Sequence, residues 1–282
     1  MTITAKSVLS SVSPDGVRID TLLLRYPRFI HSEFMTHRQF SRNASSSRAI
    51  PVERLIADVE RDPAMPIFWG KNQKGMQARE ELGDIEKGCA IDSWLEAKDN
   101  AVRAASSMAA GGAHKQIVNR ILEPFAHINV VVTATEWDNF FALRIHEDAQ
   151  PEIKVLAEAM KLALDMSDPQ ILTFGEWHLP FVTADEISEY GLSDCNGELR
   201  YISAARCART SYKTHDGRVS TLEEDIALGE RLTKSRPFHA SPFEHQAMPD
   251  FYIETETGEE WFQPDLHRNF TGWIQNRAYM EE

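Results

Sequence analysis

Thr36-His37-Arg38-Gln39-Phe40-Ser41-Arg42-Asn43-Ala44-Ser45-Ser46-Ser47-Arg48 is the stretch on which the reading of this chain turns. It holds three arginines, a histidine, an asparagine and four serines without one acid, in a chain of formal net charge -13. A guanidinium fork matches phosphate or carboxylate oxygens two at a time. Serine hydroxyls and loop N–H groups complete a shell around an oxyanion. The stretch therefore reads as a site for a phosphorylated ligand. A Ser/Arg-rich segment can also be a solvated tail. Here the flanking Phe29, Ile30, Phe34, Met35 and Phe40, with Ile50-Pro51-Val52 beyond, argue for a packed segment.

The chain around it has 282 residues, enough for one large domain or two ordinary ones. Its 42% hydrophobic and 26% charged content is that of a globular protein. The acidic balance opposes general binding of nucleic acid or of anionic membranes, because the summed field repels phosphate polymers. No run approaches the roughly 20 apolar residues of a membrane span, and residues 1–16 lack the apolar core of a signal peptide. Cys89, Cys195 and Cys207 are too few and too scattered for a disulfide framework or a closed zinc site. A reducing, cytoplasmic setting is expected, with no resident metal.

Residues 17–24 read as a strand that starts alternating and ends buried. Tyr26-Pro27 turns it toward a helix carrying His31, Glu33, Phe34 and His37. Residues 63–75 are loop-like. Helices are expected over 91–110, stopped by Gly111-Gly112, over 115–122, and over 150–166 with Ile153, Leu156, Ala157, Met160 and Leu164 on one face. Residues 130–133 are a short β-branched run, and 137–143 are apolar and aromatic. Residues 167–200 look like a connecting region. Order resumes at Tyr201, and Ser220 with Glu223 has capping-box spacing for a helix burying Leu222, Ile226 and Leu232. No repeat is present.

Three blocks carry a family resemblance. His37-Arg38, Ser41, Asn43, Ser46 and Arg48 resemble the signature of the flavin-dependent thymidylate synthases. Arg120-Ile121-Leu122-Glu123-Pro124 is similar to that family's Arg-x-x-Leu-Pro. Phe141-Ala142-Leu143-Arg144 with Ala149-Gln150-Pro151-Glu152-Ile153 is similar to its Leu-Arg…Ala-Gln-x-Glu-Ile segment. A fourth block, Ala205 to Tyr212 followed by His239-Ala240-Ser241-Pro242-Phe243-Glu244-His245, resembles the family's opening segment, here displaced to the end. The resemblance thus implies a circularly permuted member, with a helix-rich α+β fold around a small antiparallel sheet. Residues 1–166 would form the flavin and nucleotide core, 167–200 the joint, and 201–282 the displaced opening part folded into the same domain. Asn269 to Arg277 loosely echoes the family's approach to the motif.

The same resemblance implies the site. Ser46, Ser47, Arg48 and Arg120 match substrate-binding positions, as does Glu33, where the family usually has glutamine. Arg144 faces the pyrimidine, where a fixed cation stabilises charge developing on the ring, and Ser46 and His239 join it as catalytic candidates. His37, Arg38, Gln39, Asn139, Ser211 and Ser241 match cofactor contacts. For Arg42 an ordinary surface salt bridge is the preferred reading, for Cys207 a buried filler, and for His114 and His178 a structural role. His239 is as readily an ordinary loop histidine. Thr36, Ala44, Ala49 and Asp148 stand where the family has arginine, glutamate, tyrosine and histidine. An added acid at Glu33 weakens anion binding unless it pairs with an arginine.

The implied reaction is one-carbon transfer to C5 of deoxyuridylate with FAD, NADPH and 5,10-methylenetetrahydrofolate, in a homotetramer whose sites lie between subunits. A hydroxymethylase acting on dUMP or dCMP, and a non-catalytic flavin- or nucleotide-binding homologue, are the alternatives.

Overall fold

The second strand shows how the chain divides its two halves. In the computed structural model, which describes residues 2–191, 194, 197–210, 220–256 and 258–281, Thr4–Val12 (β1) and Arg18–Pro27 (β2) pair antiparallel. Their hairpin turns at Gly16, whose φ of 80° suits a residue without Cβ. Along β2 the side chains alternate between faces. Leu22, Leu24 and Tyr26 enter one apolar cluster, while Ile19 enters another.

A 3-10 turn at Arg28–Ile30 leads into the single-turn helix His31–Phe34 (α1). The chain then forms strand Ser41–Ala44 (β3), a 3-10 turn at Ser47–Ala49, and helices Val52–Arg61 (α2), Asp84–Ala110 (α3) and Lys115–Leu122 (α4). His127–Ala134 (β4), Asp138–Arg144 (α5), Pro151–Asp165 (α6) and Gln170–Ile171 (β5) complete the first half. The sheet order is β3-β4-β2-β1-β5, antiparallel throughout except for β5 beside β1.

The second half contains helices Ala184–Tyr190 (α7), Glu198–Arg209 (α8) and Leu222–Lys234 (α9), strands Ala247–Pro249 (β6), Tyr252–Thr255 (β7), Gly258–Trp261 (β8) and Trp273–Gln275 (β9), and the terminal helix Asn276–Glu281 (α10).

Helix α6 starts at Pro151, where a missing N–H costs nothing. It lays Ile153, Leu156, Ala157, Met160 and Leu164 against Leu22, Leu24, Val130 and Val132 on one face of the sheet. A second cluster joins α2, α3 and α4 through Leu55, Val59, Ala105, Val118 and Leu122. The opposite face of the sheet is covered by the second half, where Ile19 packs with Leu172, Ala247, Phe270 and Trp273. A buried row of polar groups crosses this face. Ser11 Oγ lies 2.8 Å from His178 Nδ1, and His178 Nε2 lies 2.9 Å from Thr21 Oγ1. Thr21 Oγ1 lies 2.7 Å from Thr133 Oγ1, which lies 2.8 Å from His245 Nδ1. Burial pushes both imidazoles down to about 3, so they are neutral.

Several expectations change. Helix α1 ends at Phe34, so His37 lies in the turn beyond it. The Ser/Arg stretch contains a true strand, β3. Helix α3 begins at Asp84, ahead of Ile91, because acidic Asp84 and Glu86 favour its first turn. The expected joint is packed: it carries β5, α7 and the start of α8, with Trp177, His178 and Leu179 buried. The capping box of α9 is Thr221 with Glu224, not Ser220 with Glu223. That helix fully buries Asp225 and Gly229, and Leu222, Ile226 and Leu232 only in part. Cys207 is buried and its thiol pushed up by burial, as a filler should be. His178 is structural, and His114 caps α4 by accepting from the Gln116 N–H.

Candidate active site

The turn after α1 and the outer side of α5 enclose a cleft of about 350 Å³. His37, Arg38, Gln39, Asn139 and Arg144 all line it, together with Thr36, Phe40, Glu136, Phe140 and Leu143. Five residues assigned from the motifs are thus brought to one place. The apolar part is aromatic: Phe140 meets His37 edge-on at 4.8 Å and Phe40 at 5.3 Å between ring centroids.

Arg144 ends α5 and is held from three directions. Its Nη1 pairs with the Glu33 carboxylate, its Nε donates to His37 Nε2 at 2.9 Å, and its Nη2 approaches Thr36 Oγ1 at 3.5 Å. The acid at position 33 is therefore matched by an arginine, the condition set by the sequence. Arginine only donates, so His37 Nε2 must be a lone pair and the ring proton must sit on Nδ1. Burial, then Arg144 and Arg42, push His37 down to about 4. Arg42 is no surface ion pair: it donates to the carbonyls of Met35 at 3.1 Å and His37 at 2.8 Å and fixes the turn from beneath.

The remaining arginines assemble elsewhere. At the other end of β3, Glu123 Oε1 receives Ser47 Oγ at 2.5 Å, Arg120 Nη1 at 2.9 Å and Arg28 Nη2 at 3.3 Å. Asn119 Nδ2 holds the carbonyls of Ser47 and Ile50 at 2.7 and 2.9 Å. Arg48 is exposed beside them, and no described residue pairs with its side chain; Ser46 is half-buried. The cluster carries more positive charge than Glu123 neutralises. At about 3.3 Å per residue, the four-residue strand β3 sets its two ends roughly 10 Å apart. Arg48 and Arg120 are not among the residues that line the cleft beside Arg144.

On the C-terminal side, Ser241 opens the 3-10 turn Ser241–Glu244, which packs against β3, and its side chain is exposed. His239 is exposed with no side-chain partner among the described residues. Ser211 lies outside the described residues. Asp148 binds Arg79 at 3.2 Å, and the Ala49 carbonyl takes Lys115 at 3.1 Å. Sequence reasoning missed Glu136, which its nearness to Asn139 could have flagged. It read Asn269 and Gln275 only as part of a segment that loosely echoes the family's approach to the motif, without their contacts to Ser41 across the fold.

An arginine fixed at the edge of an aromatic-floored cleft, on an α+β scaffold, suits a flat anionic ring compound. Residues 19–170 match the family described as thymidylate synthase complementing protein, and the chain belongs to that family. No curated protein matches it. The fold is similar to that of the UMP/dUMP methylase PolB from Streptomyces cacaoi bound with 5-Br UMP, at 18% identity and a TM-score of 0.50 over 58% of this chain and 88% of that one. The same methylase bound with 5-Br dUMP aligns at 18% identity and a TM-score of 0.48, over 58% and 90%.

Proposed function

We propose that the chain transfers a one-carbon unit from 5,10-methylenetetrahydrofolate to C5 of dUMP, giving dTMP, with FAD bound in the cleft and NADPH as reductant. The observation that carries this is Arg144, clamped by Glu33 and His37 at the cleft wall within the family-matched segment. The cleft fits the ring portion of a flavin: Phe40, Phe140 and Leu143 offer an apolar surface, and His37, Arg38, Gln39 and Asn139 offer polar groups at its rim. Reduced flavin would supply the electrons that convert a methylene into a methyl group.

The chain's own residues do the rest. Arg144 stands as a preorganised cation for charge developing on the pyrimidine when C5 attacks. His37 stays neutral and offers Nδ1–H as a hydrogen-bond donor, not as an acid. Arg48, Arg120, Ser46 and Ser47 suit a phosphate dianion. Their absence from the lining of the Arg144 cleft supports a site shared between subunits of a homo-oligomer, tetrameric in this reading. Ser241 and Ser211 would contact the cofactor and His239 would border it.

A second reading is favoured by Glu33. A carboxylate beside Arg144 can accept from an exocyclic amine, as carboxylates do from cytosine, so hydroxymethylation or a dCMP substrate is the runner-up. A non-catalytic binding protein is the third, motivated by Ala44 and Ala49. Incubation with FAD, NADPH, methylenetetrahydrofolate and either nucleotide, followed by product mass, separates the first two. Protein that gains no flavin absorbance on titration with FAD would overturn both. Flavin and nucleotide binding without product from either base would leave the third.

A further inference from the structure

Asn269 is more than two hundred residues from the motif turn in sequence, yet its amide is locked onto it. Nδ2 donates to the Gln39 carbonyl at 2.7 Å and lies 3.2 Å from Ser41 Oγ. Oδ1 accepts from Gln275 Nε2 at 2.8 Å and lies 3.4 Å from Ser41 Oγ. With a donor from Gln275 on one side and a carbonyl acceptor on the other, only one orientation of the amide fits.

The loop that presents Asn269 is itself tied down. Arg268, just before it, has φ of 54°, a left-handed conformation that persists only where the surroundings dictate it. His267 Nε2 binds Asp250 Oδ2 at 2.8 Å, and Phe270 is buried. The Thr271 N–H donates to Thr135 Oγ1 at 2.9 Å. Gly272 has φ of 69°, and a Cβ there would meet the Trp261 ring at 2.8 Å. This is a braced arm, and its tip touches one peptide group. That group joins Gln39 to Phe40, two residues that line the cleft.

We propose that Asn269 is a positioning residue of the site, which sets the Gln39–Phe40 peptide and through it the cleft side of the motif turn. The segment 267–275 then belongs to the binding machinery although it lies outside the family-matched residues 19–170. The ligands used in its test rest on the functional reading above; the brace itself does not.

Asn269→Asp keeps the size of the side chain, removes the donor and sets a carboxylate against the Gln39 carbonyl. Asn269→Ala removes the whole contact. In full-length protein, both should raise amide exchange over residues 37–41 about tenfold while the melting midpoint stays near that of the parent. The Kd for FAD or dUMP should weaken by about tenfold or more, as misplacement of a binding group does. Loss in Asn269→Ala combined with Ser41→Ala should be less than the sum of the single losses, because the two side chains form one network. Gln275→Met, which keeps the Asn269 side chain but frees its Oδ1 and loses the 3.4 Å contacts of Gln275 Nε2 with Ser41 Oγ and the Glu244 carbonyl, is the variant to use should the others fail to fold, and should move the same readouts the same way. Unchanged exchange over 37–41, or a rise confined to 262–275, would overturn the proposal. A parent protein that binds neither FAD nor dUMP would defeat the functional reading, and the exchange measurement alone would then decide the role of Asn269.

Discussion

Arg144 stands in the wall of the cleft at the C-terminal end of α5. The Leu-Arg motif marked it, but not that its charge is already engaged by Glu33 and His37. Replacing Arg144 with Ala should nearly abolish nucleotide turnover while flavin stays bound, read by product formation and visible absorbance. Glu33→Gln should tighten dUMP binding roughly threefold, the scale of one partly exposed ion pair, measured calorimetrically; weaker binding would mean that Glu33 holds Arg144 in its working pose. His37 supplies a pH test. Its folded value, about 4, lies below the unfolded 6.5, so the unfolded chain binds its proton first. Stability from this group is therefore lost as pH falls below about 6.5, down to about 4. Above that window the ring is neutral, and NMR titration should show no His37 transition between pH 6 and 9. The pairing of Arg144 was legible in the sequence only as a condition, since charge type is written there and distance is not.

At the scale of elements, long periodic helices were readable and short composite pieces were not. Helix α6 fell where its apolar spacing and Pro151 put it. Strand β3 escaped because Ser41, Arg42, Asn43 and Ala44 have little intrinsic strand preference; its conformation comes from pairing with β4. Segment 167–200 looked like a connection because its Gly and Pro content hides the buried Trp177-His178-Leu179 run. Helices α8 and α9 depend on a close approach that sequence periodicity does not show. A Cβ on Gly229 would lie 2.5 Å from Tyr201 Cβ and 2.8 Å from the Tyr201 carbonyl. Gly229→Ala should thus destabilise by about 1–3 kcal/mol through overpacking, despite a gain of about 1 kcal/mol in helix propensity. Urea unfolding followed by circular dichroism is the check, and a more stable variant would show that α8 and α9 can part at no cost.

For the whole molecule, the motif blocks identified the family, while the distance between their arginines emerged only from the fold. Arg144 lines the cleft while Arg48 and Arg120 do not, and the proposed function joins them in a site shared with a neighbouring chain. If so, co-expressed Arg48→Ala and Arg144→Ala chains, each inactive alone, should recover thymidylate formation in mixed oligomers, measured by product release. A mixture as silent as its components would place the whole site within one chain. The row from Ser11 through His178, Thr21 and Thr133 to His245 stitches the first half of the molecule to the second. Each hydroxyl has one hydrogen to give, and each neutral ring one, so the row has a sense of direction. Reversing the tautomer of His178 obliges Thr21, Thr133 and His245 to turn with it, and the far halves of the polypeptide thereby share a single collective proton order.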